Sequence, residues 1–191
     1  EYVCAFFSFF IGSIFKGIPS HFDCVMAREP DNENSELYFF KGSQIYMFNK
    51  GTNKMVEGFP KKNTEVLPEC PSNINACFHD HNSIYIFKNN LVYKYITGSS
   101  VEPELDSNYP KEVNKEFSNM PSNIDAYTKY NSEMYVIKGI QYYIVDSSKT
   151  INLRLGIDDD DENKYPQYLD KKFDNLNTAV DRSNIINNDD D

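Results

Sequence analysis

The chain has 191 residues, 40% of them hydrophobic and 15% aromatic, which argues against wholesale disorder because so much apolar surface can offset the entropy of ordering. Fourteen Tyr and fourteen Phe with no Trp favour strands over helices. A formal net charge of −10 argues against nucleic acid, whose phosphates it would repel, and favours cationic small ligands, metal ions or basic protein patches.

In chain order, residues 1–18 come first as an apolar segment. The run from Tyr2 to Ile11 is long enough for the core of a signal peptide and too short to span a bilayer. Two readings stand side by side: a trimmed signal remnant, or a buried strand that closes the fold. No other segment could cross a membrane.

From Pro19 the sequence repeats itself. The first copy opens with PSHFDCV from Pro19, continues with LYFFKG from Leu37 and IYMF from Ile45, and reaches Phe59-Pro60. The second runs PSNINACF from Pro71, IYIFKN from Ile84, VYKY from Val92, Tyr109-Pro110, and the helix-like stretch KEVNKEFSNM before Pro121. The third runs PSNIDAY from Pro121, MYVIKG from Met134, YYIV from Tyr142, Tyr165-Pro166, and QYLDKKFDNL before Asn177. A fainter fourth, DNLNTAV, starts at Asp174. The aligned apolar positions Phe22, Ile74, Ile124 and Leu176 lie 52, 50 and 52 residues apart.

Each block has a direct physical reading. The opening strand is rich in small residues, as crowding around an axis requires. LYFFKG and its copies are apolar on both faces and so predict strands buried on both sides. The Lys-Gly or Lys-Asn that follows is a turn signal, and the Tyr-rich block then pairs back as a hairpin. The Pro after each aromatic is expected to stop the edge strand. Such a unit cannot bury its own faces; several packed around an axis can.

These motifs resemble the hemopexin repeat family, which includes hemopexin, the C-terminal domains of matrix metalloproteases, vitronectin and plant seed albumins. The resemblance covers roughly Phe22 to Val180. It implies an all-β, hemopexin-like β-propeller with blades at about 19–70, 71–120 and 121–173, a partial fourth at 174–186, and an acidic tail at 187–191. The pattern departs from the family where Tyr46, Tyr93 and Tyr143 replace Trp, where the acid-small dipeptide becomes Asn75-Ala76 and Asn177-Thr178, and where the fourth copy ends after its first strand. An incomplete ring is the expectation, and an unclosed ring would leave a blade face exposed.

The resemblance also implies a site. In the family the opening strands point carbonyls into an axial tunnel that can hold Ca²⁺. The matching residues here are Asp23, Asn75, Asp125 and Asn177, whose oxygens suit a hard cation; the alternative is that they hydrogen-bond neighbouring strands. His79 and His81, in FHDHN, could form a small metal or heme site; they alternate on a strand or lie in a turn, two ligands make a weak site, and a surface loop is the favoured reading. His21 has no partner nearby in sequence.

Cys4, Cys24, Cys70 and Cys77 fit neither paired zinc knuckles nor a dense disulfide framework. One or two disulfides would be open to a secreted chain, yet Cys24 and Cys77 read as small buried thiols. The acidic runs Asp158 to Glu162 and Asp189 to Asp191 read as solvated loops. No HExxH helix, GxSxG elbow or phosphate loop occurs, so no enzymatic activity is expected. The leading expectation is a non-catalytic binding module for a protein or extracellular-matrix partner. Its rivals are a scavenger of heme or another small ligand, the non-catalytic piece of a secreted matrix metalloprotease, and a polyamine-binding storage albumin. Secretion is favoured, and the lack of a cysteine framework leaves the cytoplasm open.

Overall fold

The computed structural model describes residues 14–28, 35–98, 101–130, 133–151 and 166–168. The repeats become three antiparallel sheets. Blade 1 holds β1 (Cys24–Ala27), β2 (Glu36–Lys41), β3 (Gln44–Asn49), β4 (Lys54–Met55) and β5 (Lys61–Lys62), followed by helix α1 (Asn63–Val66). Blade 2 holds β6 (Ala76–Asp80), β7 (Ser83–Lys88), β8 (Leu91–Gly98), β9 (Val101–Leu105) and β10 (Lys111–Glu112), followed by α2 (Val113–Glu116). Blade 3 holds β11 (Ala126–Tyr130), β12 (Glu133–Lys138), β13 (Gln141–Val145) and β14 (Gln167–Tyr168). The inner strands β1, β6 and β11 are neighbours, β6 touching both of the others, so the blades turn about one axis. The fourth copy, with the acidic runs and Asn177, lies outside the described residues.

The doubly apolar run is the reason the blades stack. In β7, Ile84 and Ile86 pack into blade 1 with Tyr38 and Phe40, while Tyr85 and Phe87 pack into blade 3 with Tyr127 and Val136. Alternation along a strand thus feeds two cores from one sequence. Each such side chain contributes about 1.5–3 kcal/mol when fully buried. Between blades 2 and 3 the contact is aromatic: Tyr127 stacks on Phe87 at 5.6 Å with 13° between the planes, and lies 4.6 Å from Phe78.

The proline expectation needs amending. Phe59-Pro60 and Tyr109-Pro110 are both cis, and the chain does not leave the sheet beyond them. The two residues that follow each proline, β5 and β10, pair back onto the start of β3 and β8, and β14 does the same on β13. Proline has no amide hydrogen to give the ladder, so it splits the outer strand into two pieces instead of ending it.

The cysteine expectation is also corrected. Cys24 and Cys77 form a disulfide that joins the inner strands of blades 1 and 2, with 6.0 Å between the Cα atoms. Cys70 stays a free, buried thiol in the same core. Burial pushes its pKa up to about 12, against a weaker opposing pull from the Tyr95 hydroxyl.

At the other face of blade 1, Phe15 and Ile18 pack on Leu37, Phe39 and Phe48. The Phe15 ring meets Phe39 at 5.2 Å and Phe48 at 5.0 Å. This short segment copies the one that precedes blades 2 and 3. The Ile18 amide donates to the Phe15 carbonyl as Cys70 does to Leu67 and Met120 to Phe117. Gly17, Glu69 and Asn119 share the left-handed backbone at the turn, with φ of 90°, 59° and 64°. Residues 14–18 therefore share the geometry of the turns that close blades 1 and 2.

Candidate functional site at the propeller axis

Asp23, Asn75 and Asp125 stand at the same place in successive blades, one residue before β1, β6 and β11. Each backbone N–H donates across the blade, to Phe40, Phe87 and Ile137 respectively. Each side chain then accepts a hydrogen bond from the N–H at the following hairpin turn: Asp23 from Gly42 at 2.7 Å, Asn75 from Asn89 at 2.7 Å, Asp125 from Gly139 at 2.6 Å. The turn residues share a positive φ of 57° to 60°, which glycine and asparagine tolerate best. The acid or amide is thus a clamp that fixes the hairpin to the inner strand. Asn177, the fourth expected member, lies outside the described residues.

Lysine completes each clamp. Lys41 pairs with the second Asp23 oxygen at 3.5 Å, while Lys88 donates to the Asn73 carbonyl at 2.5 Å and Lys138 to the Ser122 carbonyl at 2.7 Å. These lysines come from the repeated FKG, FKN and IKG. The motif predicts a turn, and its strict recurrence is the signal for the lysine as well. A cation at the axis would have the main-chain carbonyls and the remaining side-chain oxygen lone pairs to draw on. Among the described residues no group of three His, Cys, Asp or Glu is placed to hold a metal ion.

The histidines do not converge. His79 is not a loop residue: it lies within β6, 9% exposed, with Nε2 3.3 Å from the Thr97 hydroxyl. It points to the same side of the strand as Cys77, because the two are two residues apart. His81 sits in the exposed turn at φ 50°, its Nδ1 2.6 Å from an Asp80 oxygen. His21 is exposed, with Nδ1 3.0 Å from the Ser20 hydroxyl. Nothing here makes a two-imidazole pocket.

A second polar cluster joins blades 2 and 3. The Lys149 ammonium contacts the Glu116 carboxylate, bonds the Tyr85 hydroxyl at 3.2 Å, and lies 5.2 Å and 5.4 Å from the centres of the Tyr85 and Phe117 rings. Lys111 approaches Glu116 from the other side at 3.5 Å. Burial would raise the Glu116 pKa, but the bonds from Lys149 and Tyr109 and the nearby charges hold it below the usual carboxylate range. Burial would depress Lys149, but Glu116 and Tyr85 carry it above the ordinary ammonium value. Its neighbours are all structural, so the cluster reads as a joint between blades.

Three features now stand together: recurring hairpin clamps, inner strands around one axis, and apolar faces shared between neighbouring blades. The comparisons agree with them. The chain is 33% identical over 114 residues to hemopexin of Danio rerio, covering 58% of this chain and 23% of that protein. It is 30% identical over 110 residues to matrix metalloproteinase-21 of Mus musculus, covering 51% and 19%. The repeats are hemopexin-like. No family model matches the chain. Solved structures give the same fold: the hemopexin-fold protein CP4 from cow pea superimposes with a TM-score of 0.60 at 16% identity, covering 82% of this chain and 71% of that one. The seed albumin LS24 from Lathyrus sativus gives 0.61 at 20% identity, covering 83% and 71%. The chain spans about a quarter or less of the length of the curated relatives it matches, so the hemopexin-like likeness concerns the repeats and not those whole proteins.

Proposed function

We propose that this hemopexin-like chain is a non-catalytic binding module for a protein or extracellular-matrix partner, with a cation such as Ca²⁺ seated on the propeller axis. The reading rests on one observation. Asp23, Asn75 and Asp125 present the same oxygen-bearing clamp at three successive inner strands about one axis, a repeated hard-oxygen environment of the kind Ca²⁺ favours. Asn177 would supply a fourth by its place in the repeat. The disulfide supports an oxidising, extracellular setting, where such bonds persist. No described helix is long and apolar enough to cross a membrane.

Thermal unfolding followed by near-ultraviolet circular dichroism, with millimolar calcium and then with chelator, tests the cation. A calcium-dependent rise in Tm that Asp125→Ala diminishes supports the site, and an unchanged Tm removes it. Saturable binding of the labelled chain to decellularised matrix, competed by unlabelled chain, tests the partner; binding that never saturates removes it. A second reading, the non-catalytic piece of a metalloprotease, is supported by the likeness to matrix metalloproteinase-21. The flanking coding sequence decides it by the presence or absence of an upstream HExxH helix. Heme scavenging loses support from the separation of His79 and His81.

A further inference from the structure

The two cysteines of the bridge break the repeat. Cys24 falls where the next two copies carry Ala76 and Ala126, and Cys77 falls where the copies on either side carry Val25 and Tyr127. At the seam between blades 2 and 3 the matching places are therefore held by Ala76 and Tyr127, and the Tyr127 ring packs on Phe78 and Phe87. Among the described residues, only the seam between blades 1 and 2 carries a covalent tie. That tie sits beside the hairpin clamps. Cys24 directly follows Asp23, and Cys77 lies two residues past Asn75. With 6.0 Å between the bridged Cα atoms and about 3.8 Å between successive ones, the bridge bounds how far Asp23 and Asn75 can part across the seam. The side-chain bonds of these clamps carry the restraint on to the turns at Gly42 and Asn89. Blade 3, which carries Asp125, meets blade 2 through packing and the Lys149 joint.

We propose that the Cys24–Cys77 bridge sets the affinity of the axial cation site, so that opening the bridge loosens the cation and the bound cation resists opening of the bridge. This coupling rests on the axial cation proposed above and supplies its regulation. A cation held by oxygens from several strands needs them at one spacing, and a spacing fixed in advance spares the ordering that binding would otherwise impose. Calcium accepts a range of geometries, so losing the bridge weakens the site without abolishing it. Reduction by a dithiol breaks the Sγ–Sγ bond, leaves a thiol on Cys24 and on Cys77, and turns the dithiol into its cyclic disulfide; two electrons and two protons pass to the protein. Linkage makes the effect reciprocal. Whatever factor the bridge adds to cation affinity, the cation adds to the bridge's resistance to reduction.

Isothermal titration of calcium into the parent chain and into Cys24→Ala/Cys77→Ala reads the first half. A Kd about tenfold higher without the bridge is expected, within the usual span of coupling between sites. Ile86→Val, which loosens the same blade 1–blade 2 core away from the clamps, should leave Kd unchanged. The second half is read on the parent, equilibrated in buffers of graded reduced and oxidised dithiothreitol with calcium or with chelator, the 24–77 bridge being scored by peptide mapping. At calcium well above both Kd values the midpoint should lie about 30 mV lower than in chelator, the equivalent of tenfold for a two-electron couple, and should stop moving as calcium rises further. A midpoint that keeps falling by about 30 mV for each decade of calcium marks a reduced chain that no longer folds, and that overturns the proposal. Equal Kd with and without the bridge, or a midpoint indifferent to calcium in a parent that binds it, removes the coupling and leaves the axial site standing. A Kd raised as much by Ile86→Val as by the double variant assigns the effect to general loosening and refutes the role of the bridge. Absence of calcium binding in both parent and double variant removes the coupling and the axial site together.

Discussion

Replacing Cys24 and Cys77 together by alanine should cost the protein about 4 kcal/mol. The two residues are 53 apart in sequence. Closing a loop of that length removes from the unfolded chain an entropy of about 14 cal/mol/K, or roughly 4 kcal/mol at 25 °C. Both side chains are nearly buried, at 9% and 2% exposure, so the shortened residues also leave a small gap in the blade 1–blade 2 core and the loss should not fall below this figure. Urea unfolding followed by tyrosine fluorescence reads the effect. With a slope of about 2 kcal/mol/M, the midpoint should fall by about 2 M. Non-reducing peptide mapping of the parent chain must show the 24–77 bridge. A midpoint shift under about 0.5 M in a parent that carries the bridge would refute the argument that the staple restrains the unfolded chain.

Two further outcomes follow from the joints between elements. Glu116→Gln should destabilise by about 1–2 kcal/mol, below the 3–5 expected for a fully buried pair because the Lys149 side chain is 41% exposed and its charge is partly screened. Since the folded Glu116 pKa is lowered, its contribution is present above the unfolded carboxylate value near 4.3 and lost as pH falls through the folded value. Urea midpoints between pH 3 and 7 should therefore converge for parent and variant at the acid end. Asn89→Ala should cost about 1 kcal/mol, because a β-carbon without a compensating side-chain contact must sit at φ 57°, whereas Asn89→Gly should be nearly neutral; paired urea melts check both.

Much of this architecture could be read from the residues themselves. LYFFKG and IYIFKN announced strands with two buried faces, and their burial in β2 and β7 follows that pattern. The asparagines of the two PSN openings, Asn73 and Asn123, take φ of 50° and 53°, as the turn-forming habit of asparagine suggests. Asp23, Asn75 and Asp125 were found by their position in the repeat, but their hairpin partners were not, because which backbone N–H an acid meets depends on how the turn folds back. The disulfide was missed for a more instructive reason. Cys24 corresponds to Ala76, so Cys77 sits one residue further along the next inner strand. In a structure of period two, that single step turns the side chain to the opposite face, towards the blade that carries Cys24. FHDHN is polar enough to favour a loop over a strand for His79, whereas β6 extends through it to Asp80 and leaves only His81 in the turn.

The middle sheet has company on both sides, and that shapes how the molecule comes apart. Backbone amides of β6 and β7 should be the slowest to exchange with deuterium, since exposing them requires one neighbour or the other to depart first. Variation should follow the same gradient, with replacements at Ile84 and Ile86 felt in the core shared with blade 1 and those at Tyr85 and Phe87 in the core shared with blade 3.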